Sequence, residues 1–289
     1  MSVAEQVLRS ATRGVIDALS LQRCLILLVK SEKIRVRLVQ CLVLNGLIFL
    51  GSIFLFNHVL RHALGWALAY ILEGDSVSAI QQWIDWIYFF FWIAPVYMLC
   101  FVLNTLWYQD IASESLRIYP NAAPAVQTSA SVTGTIVELV FRSLFNFFFL
   151  IYLALLSRIR WAYLVNMAWL ISYNAFEYKW IHARTTFGEK IFAFEKNWIY
   201  FLCFGAPLAL LATRFPSVVE NGFVSLIFPF LLMTASTASR PQGIQIPRQW
   251  TWWPLWWLER ARVFIVPESV TKISIIAVEA WTRSRSRRP

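Results

Sequence analysis

Charge is scarce in this chain. Only 15% of the 289 residues are Asp, Glu, Lys or Arg, while 58% are hydrophobic and the mean hydropathy is +0.57. A soluble domain carries about 25% charged residues, and one this apolar would expose large adhesive patches. The composition argues against a water-soluble globule and for a protein whose apolar surface is covered by lipid. Cysteine is also sparse. Cys24, Cys41, Cys100 and Cys203 are the four present, with no CxxC spacing, so neither a disulfide framework nor a zinc site is expected. Cys41 stands where a span would leave the cytosol; it reads as a site of reversible acylation or as a small buried hydrophobe. There is no N-x-[ST] acceptor, which fits short, hidden luminal loops. No compact apolar run ends in small residues near the start, so no cleavable signal peptide is expected. Ser-His-Asp, Cys-His, HExxH and phosphate-loop patterns are missing, so neither an enzyme nor a cofactor is expected. His58 and His62 share a helix face at i, i+4, but no third ligand is evident and no metal is expected.

Aromatic residues are abundant: 15 Trp, 10 Tyr and 23 Phe. Trp and Tyr favour the membrane–water boundary. The net charge is +10 and it is clustered, with seven basic residues between Arg9 and Arg37 and four in the closing TRSRSRRP. Beside hydrophobic segments such clusters mark the cytosolic side and touch anionic lipid. Nucleic acid is not expected as a partner; membrane lipids are, and a homo-oligomer is possible.

Along the chain, residues 3–28 form an amphipathic stretch, with Val7, Ala11, Ala18 and Leu19 opposite Arg9, Arg13, Asp17 and Arg23. It reads as a helix on the membrane surface or one packed on the rest of the protein. Six hydrophobic segments follow, near 41–60, 86–108, 143–157, 161–176, 197–213 and 221–239. The first could run on past Arg61 or bend near Gly65, and Gly46 and Gly51 could admit a neighbouring helix. Pro95, Pro207 and Pro229 should kink their helices. The connector 119–134 reads as loop. The fifteen-residue run 143–157 would span only about 22 Å as a helix, short of the roughly 30 Å hydrocarbon core. With Arg158 and Arg160 at its tip, this hairpin either crosses or penetrates part-way, its arginines snorkelling to a headgroup layer. The expected class is all-α: a polytopic helical membrane protein, some of its hairpins hemi-penetrating. Three regions are expected: 1–40 interfacial, 41–240 the membrane domain, and 241–289 a Trp-rich, basic tail.

With the N-terminus in the cytosol, luminal connectors hold four basic residues, Arg61, Arg158, Arg160 and Arg214; the other 22 of 26 are cytosolic. That asymmetry places both termini in the cytosol. The stretch 177–196 is then a cytosolic turn between hairpins. The near-copies FEYKW and FEKNW on its flanks would mark the interface, with Tyr178, Trp180 and Trp198 as belt aromatics.

Candidate functional residues follow from position. Asp110, Glu177 and Glu195, with Glu114, end apolar segments; they could line a polar path or bind a cation, or simply pair at helix ends. Arg158 and Arg160 could contact an anion or a lipid phosphate. Trp252, Trp253, Trp256 and Trp257, followed by arginines, suggest an interfacial anchor.

LWYQDIA (106–112), YNAFEYKW (173–180), FEKNWIYFLCFGAPLA (194–209) and VSLIFPFLLMTAS (224–236) resemble the etoposide-induced protein family, which includes the worm ectopic P-granules proteins. The similarity covers roughly residues 35–240. It implies a multi-pass protein of the endoplasmic reticulum membrane with a non-enzymatic role in autophagosome formation and maturation. It also implies apoptosis-linked effects in animals and other autophagy proteins of the same membrane as partners. A distant relation to bacterial CysZ sulfate permeases is implied too, and with it hairpins that only part-cross. An anion or calcium channel and a phospholipid scramblase are the alternative functions.

Overall fold

The computed structural model describes residues 2–71, 76–120 and 132–239, with positions 241, 243 and 269. The described residues are helical throughout, with no strand among them. The chain divides into two compact units. One is Met1–Ser20, Tyr119–Leu210 and Thr234–Pro289; the other is Leu21–Ile118 and Leu211–Met233.

The unit containing Leu21–Ile118 is built on two very long helices. After α1 (Val3–Ala18) and α2 (Leu21–Lys30), Ser31 adopts an extended backbone and its hydroxyl accepts from the Ile34 amide, starting α3 (Glu32–Leu42). The helix then continues without a break through a π-helical stretch (Val43–Leu50), α4 (Gly51–Leu55), a second π stretch (Phe56–Leu60) and α5 (Arg61–Ile71). Neither Arg61 nor Gly65 ends it. The return limb is α6 (Ser76–Tyr88), a π turn (Phe89–Ile93) and α7 (Ala94–Ile118). The π turn stands directly before Pro95, whose ring would clash with the carbonyl four residues back in a regular helix; a wider turn relaxes that contact.

Glu32–Ala67 has 36 residues and Ile80–Ile118 has 39, both long and apolar enough to cross a membrane. The two limbs pack through Leu44, Phe49, Ile53, Ile93 and Cys100, with Trp107 and Val219 against them. α12 (Ser217–Thr237) is a third helix of crossing length, apolar from Val218 onward. Its Gly222 lies so close to the first limb that an added Cβ would sit 2.5 Å from Leu50 Cδ2, and one on Gly46 would sit 3.1 Å from Leu226 Cδ1. Gly46 thus admits a neighbour as expected. Gly51 does not: its only close atom is the Gly46 carbonyl oxygen of its own helix.

The other unit gathers α1, α8 (Val132–Leu156), α9 (Arg160–His182), α10 (Phe187–Lys196), α11 (Trp198–Ala212) up to Leu210, and the end of α12. Here the reading of 177–196 as a turn is corrected. α9 runs on to His182, its end set by Arg184 at φ 54°, with the Thr185 amide donating back to the Trp180 carbonyl. Thr186 and Glu189 then form a reciprocal capping box that starts α10. Only 183–186 is turn. Trp180, read as a belt aromatic, is buried. Asp17, placed on the polar face of the first helix, is buried as well: Arg13 pairs with it and the Tyr200 hydroxyl donates to it at 2.9 Å. α1 therefore packs on α11, where a Cβ on Gly14 would lie 2.4 Å from the Tyr200 carbonyl oxygen.

The closest helix approach in this unit is at Gly205. A Cβ there would lie 1.9 Å from the Ala168 carbonyl oxygen on α9, and the Ser172 hydroxyl donates to the Phe201 carbonyl beside it. Gly205→Ala must push α9 and α11 apart and should cost about 1–3 kcal/mol. Gly188→Ala on α10, where nothing lies within 4 Å, should be neutral or stabilising by up to about 1 kcal/mol. Thermal unfolding of the two purified variants in detergent checks this; equal melting temperatures would contradict the close approach.

Candidate functional site

In the unit of the long helices, polar side chains sit at both ends of the apolar hairpin and once within it. At the α3–α7 end, Asp110 takes Lys33 at 2.7 Å on one oxygen and Arg37 at 2.8 Å on the other. Arg37 also donates to Gln40 at 2.9 Å. One turn on, Glu114 accepts from Ser31 at 3.0 Å and from both nitrogens of a forked Arg117 at 2.6 and 2.9 Å. At the other end Arg61 pairs with Asp85 at 2.9 Å. Between them Asn45 and Asn104, both buried, exchange two amide hydrogen bonds of 2.9 Å. Asp110 and Glu114 are thus engaged in ion pairs at the hairpin's end. The asparagine pair was not among the expected residues. Its signal was present: each is an isolated amide within an uncharged apolar run, and such residues bridge helices in lipid.

A second polar contact answers a proline. Pro229 has no N–H, so the Ser225 carbonyl four residues earlier loses its helical donor. The Tyr108 hydroxyl donates to that carbonyl at 2.9 Å, and its ring lies 5.0 Å from Phe228. Cys24 reaches the Phe230 carbonyl at 3.6 Å. Burial pushes the Cys24 thiol up to about 11, which keeps it protonated and a donor at neutral pH.

In the other unit four charged groups lie inside. Glu177, Lys179, Lys190 and Glu195 are each 1–3% exposed, and none of the four is without a partner. Lys179 donates to the Ala238 carbonyl, and Arg13 donates to the Ser239 hydroxyl, so two cations meet the end of α12. Around them is a dense aromatic core. Phe201 stacks on Phe194 at 4.2 Å, meets Phe176 edge-on at 5.0 Å and Trp180 at 5.9 Å. Phe145 of α8 reaches Tyr173 at 5.1 Å and Phe187 at 5.4 Å. The near-copies FEYKW and FEKNW have one structural role: each sends its Phe onto Phe201 and carries a buried Glu. Glu177 and Glu195 therefore share a unit, and Asp110 belongs to the other. Interface marking, one of the readings of these two glutamates, is not what burial this complete describes.

Arg158 and Arg160 are exposed at the α8–α9 turn, flanked by exposed Leu155, Ile159 and Trp161. His58 stacks on Phe54 at 4.3 Å, and among the described residues no three His, Cys, Asp or Glu side chains converge on a metal site. The connector 121–131 and Trp252, Trp253, Trp256 and Trp257 lie outside the described residues.

Tyr108→Phe should cost about 0.6 kcal/mol, and at most about 1.7, by stranding the Ser225 carbonyl. In a Pro229→Ala background the new backbone N–H can serve that carbonyl, so the same substitution should cost clearly less. A double-mutant cycle on thermal or denaturant unfolding measures the difference. Equal costs in the two backgrounds would mean that the hydroxyl does not serve the proline.

The chain is similar to known proteins over most of its length. Residues 20–214 match the family model described as Sulfate transporter CysZ/Etoposide-induced protein 2.4. The chain is 26% identical over 309 aligned positions to Protein EI24 homolog of Arabidopsis thaliana, covering 95% of this chain and 96% of that protein. It is 26% identical over 268 positions to Protein EI24 homolog of Dictyostelium discoideum, covering 90% and 81%. With Ectopic P granules protein 4 of Caenorhabditis elegans it shares 29% identity over 166 positions, covering 54% and 51%. No solved structure matches the chain at a significant level. The family match takes in Tyr108, Asp110, Glu177, Glu195 and Gly205, and on its extent the chain belongs to the sulfate transporter CysZ/etoposide-induced protein 2.4 family of membrane proteins.

Proposed function

We propose that this protein is a non-enzymatic, multi-pass protein of the endoplasmic reticulum membrane that supports autophagosome formation and maturation, with both termini in the cytosol. The single observation that carries the reading is the similarity to Ectopic P granules protein 4 of Caenorhabditis elegans, 29% identical over 166 positions. The geometry is compatible with a scaffold. Carboxylates named above are bound up in helix–helix contacts, Asp110 with Lys33 and Arg37, Glu114 with Ser31, Asp17 with Tyr200, which stiffens the helices relative to one another. Its working surfaces are then lipid and other autophagy proteins of the same membrane, and apoptosis-linked effects follow from the same role. In the organism that makes it, a clean deletion should stall autophagosome maturation, with flux restored by the full chain. Undiminished autophagic flux in the deletion would sink the proposal.

A second reading, anion transport, draws on the family description, which names a sulfate transporter, and on Lys179 and Lys190, two buried cations of the kind an anion path requires. Purified protein in liposomes should then carry labelled sulfate down a gradient, and Lys190→Gln should reduce the rate. Sulfate retention equal to that of protein-free liposomes would exclude this reading, and dithionite quenching of labelled lipid in the same vesicles tests scrambling.

A further inference from the structure

α2 is too short to cross a membrane, at 10 residues or about 15 Å, yet it is apolar on two sides. One side is seated on the protein: Leu27 and Cys24 are buried, and Cys24 reaches the Phe230 carbonyl. The other side carries Leu21, Leu25 and Val29, which are 65%, 61% and 79% exposed. At about 100° per residue these three fall within roughly 80° of the helix circumference. Arg23 and Lys30 lie on the opposite side of the helix, roughly 140–160° from the centre of that face, and the helix contains no acidic residue.

The direction of α2 is fixed at both sides of its junction with the spanning helix. Extended Ser31 interrupts the helix. Arg35 of α3 turns back and donates to the Leu28 and Val29 carbonyls at 2.8 and 3.3 Å, capping the end of α2. Past the junction, α3 and the following π stretch also expose apolar side chains, Val36, Val39, Val43 and Leu47, on a helix long and apolar enough to cross a membrane. The exposed apolar face of α2 therefore adjoins, across Ser31, a helix whose own exposed apolar side chains suit lipid.

We infer that α2 is an in-plane membrane helix, whose Leu21, Leu25 and Val29 sink into the headgroup–acyl boundary of an anionic leaflet while Arg23 and Lys30, on the opposite face, lie at its charged surface. An apolar face below and a basic face above are what holds such helices to anionic lipid. Fixed at its C-terminal end to the spanning hairpin, α2 displaces lipid in one leaflet only.

The test uses the full chain in nanodiscs of phosphatidylcholine alone and of phosphatidylcholine with phosphatidylserine. Cys203 is replaced by Ser; Cys24, Cys41 and Cys100 are buried and escape labelling. A nitroxide is placed at Leu25→Cys, at Val29→Cys, or at Glu32→Cys, an exposed reference beyond the apolar face. The labels at 25 and 29 should be reached by oxygen and shielded from an aqueous nickel complex, about 5–10 Å below the headgroups, with the label at 32 open to nickel. Depth at 25 and 29 should increase when phosphatidylserine is present, and Arg23→Gln with Lys30→Gln should abolish that increase. Equal nickel access at 25, 29 and 32 would overturn the insertion. Equal depth in the two bilayers would overturn the preference for anionic lipid. Dipolar broadening between labels at 25 would make a second copy of the chain the occupant, and would overturn it too.

Discussion

A polar group inside hydrocarbon has no water to turn to, so each one must be met from within the protein. Most of the long hairpin follows from that constraint. Backbone groups are met by helix formation, and the exceptions are where side chains become specific. A proline in α12 frees the Ser225 carbonyl and a tyrosine from α7 arrives to serve it. Two asparagines in otherwise uncharged runs satisfy each other across the hairpin. Such contacts are modest individually, averaging about 0.6 kcal/mol in membranes. Their larger effect is on register: sliding one limb by a residue would leave both amides without their partners.

The second unit meets the same constraint differently. Four of its charged groups, Glu177, Lys179, Lys190 and Glu195, are buried, beside a dense aromatic core. Burying a charge is costly, and a buried pair often stabilises no better than well-packed apolar residues would. Removing one partner is worse, because the other charge is then stranded. Glu177, Lys179, Lys190 and Glu195, each 1–3% exposed, carry that cost in this unit. The rings add specificity. Phe176 and Phe194 approach Phe201 from two helices in different geometries, one edge-on and one stacked, so neither helix can rotate without losing its contact.

Length and composition made the hairpin legible. Long uncharged runs ended by charge can only be spanning helices in a chain with this hydropathy, and Asp110 and Glu114 stood where such helices end. The asparagine pair could have been read from its isolation. The segment 177–196 differs from its expectation as a turn because charge alone does not signal water. What composition cannot tell is whether a Glu or Lys faces solvent or another helix, since that depends on neighbours brought in from α1, α8 and α11. The local chemistry was more informative there than the charge: Thr186 and Glu189 at capping-box spacing, then Phe187, Ile191 and Phe194 at helical intervals, spell an amphipathic helix with its apolar face buried. Asp17 escaped for the same reason, its partner Tyr200 lying 183 positions away.

The charge pairs also fix how the hairpin sits in its solvent. Arg37 and Arg61 are separated by 24 residues of continuous helix, at most about 36 Å and less by the smaller rise of its two π stretches. That exceeds the roughly 30 Å hydrocarbon core but falls inside the 40–45 Å that includes both headgroup layers. With Asp110 paired at one level and Asp85 at the other, the two ion pairs lie in the wet boundary layers without tilt, which agrees with the half-exposed state of Arg61 and Asp85. Trp66, Trp83 and Trp86 are all more than half exposed around the Arg61–Asp85 level, where an aromatic belt belongs. Shifting the hairpin along the membrane normal would carry one ion pair into hydrocarbon and one ring of tryptophans into water. Both moves are unfavourable, so the hairpin's own side chains oppose a change in its depth.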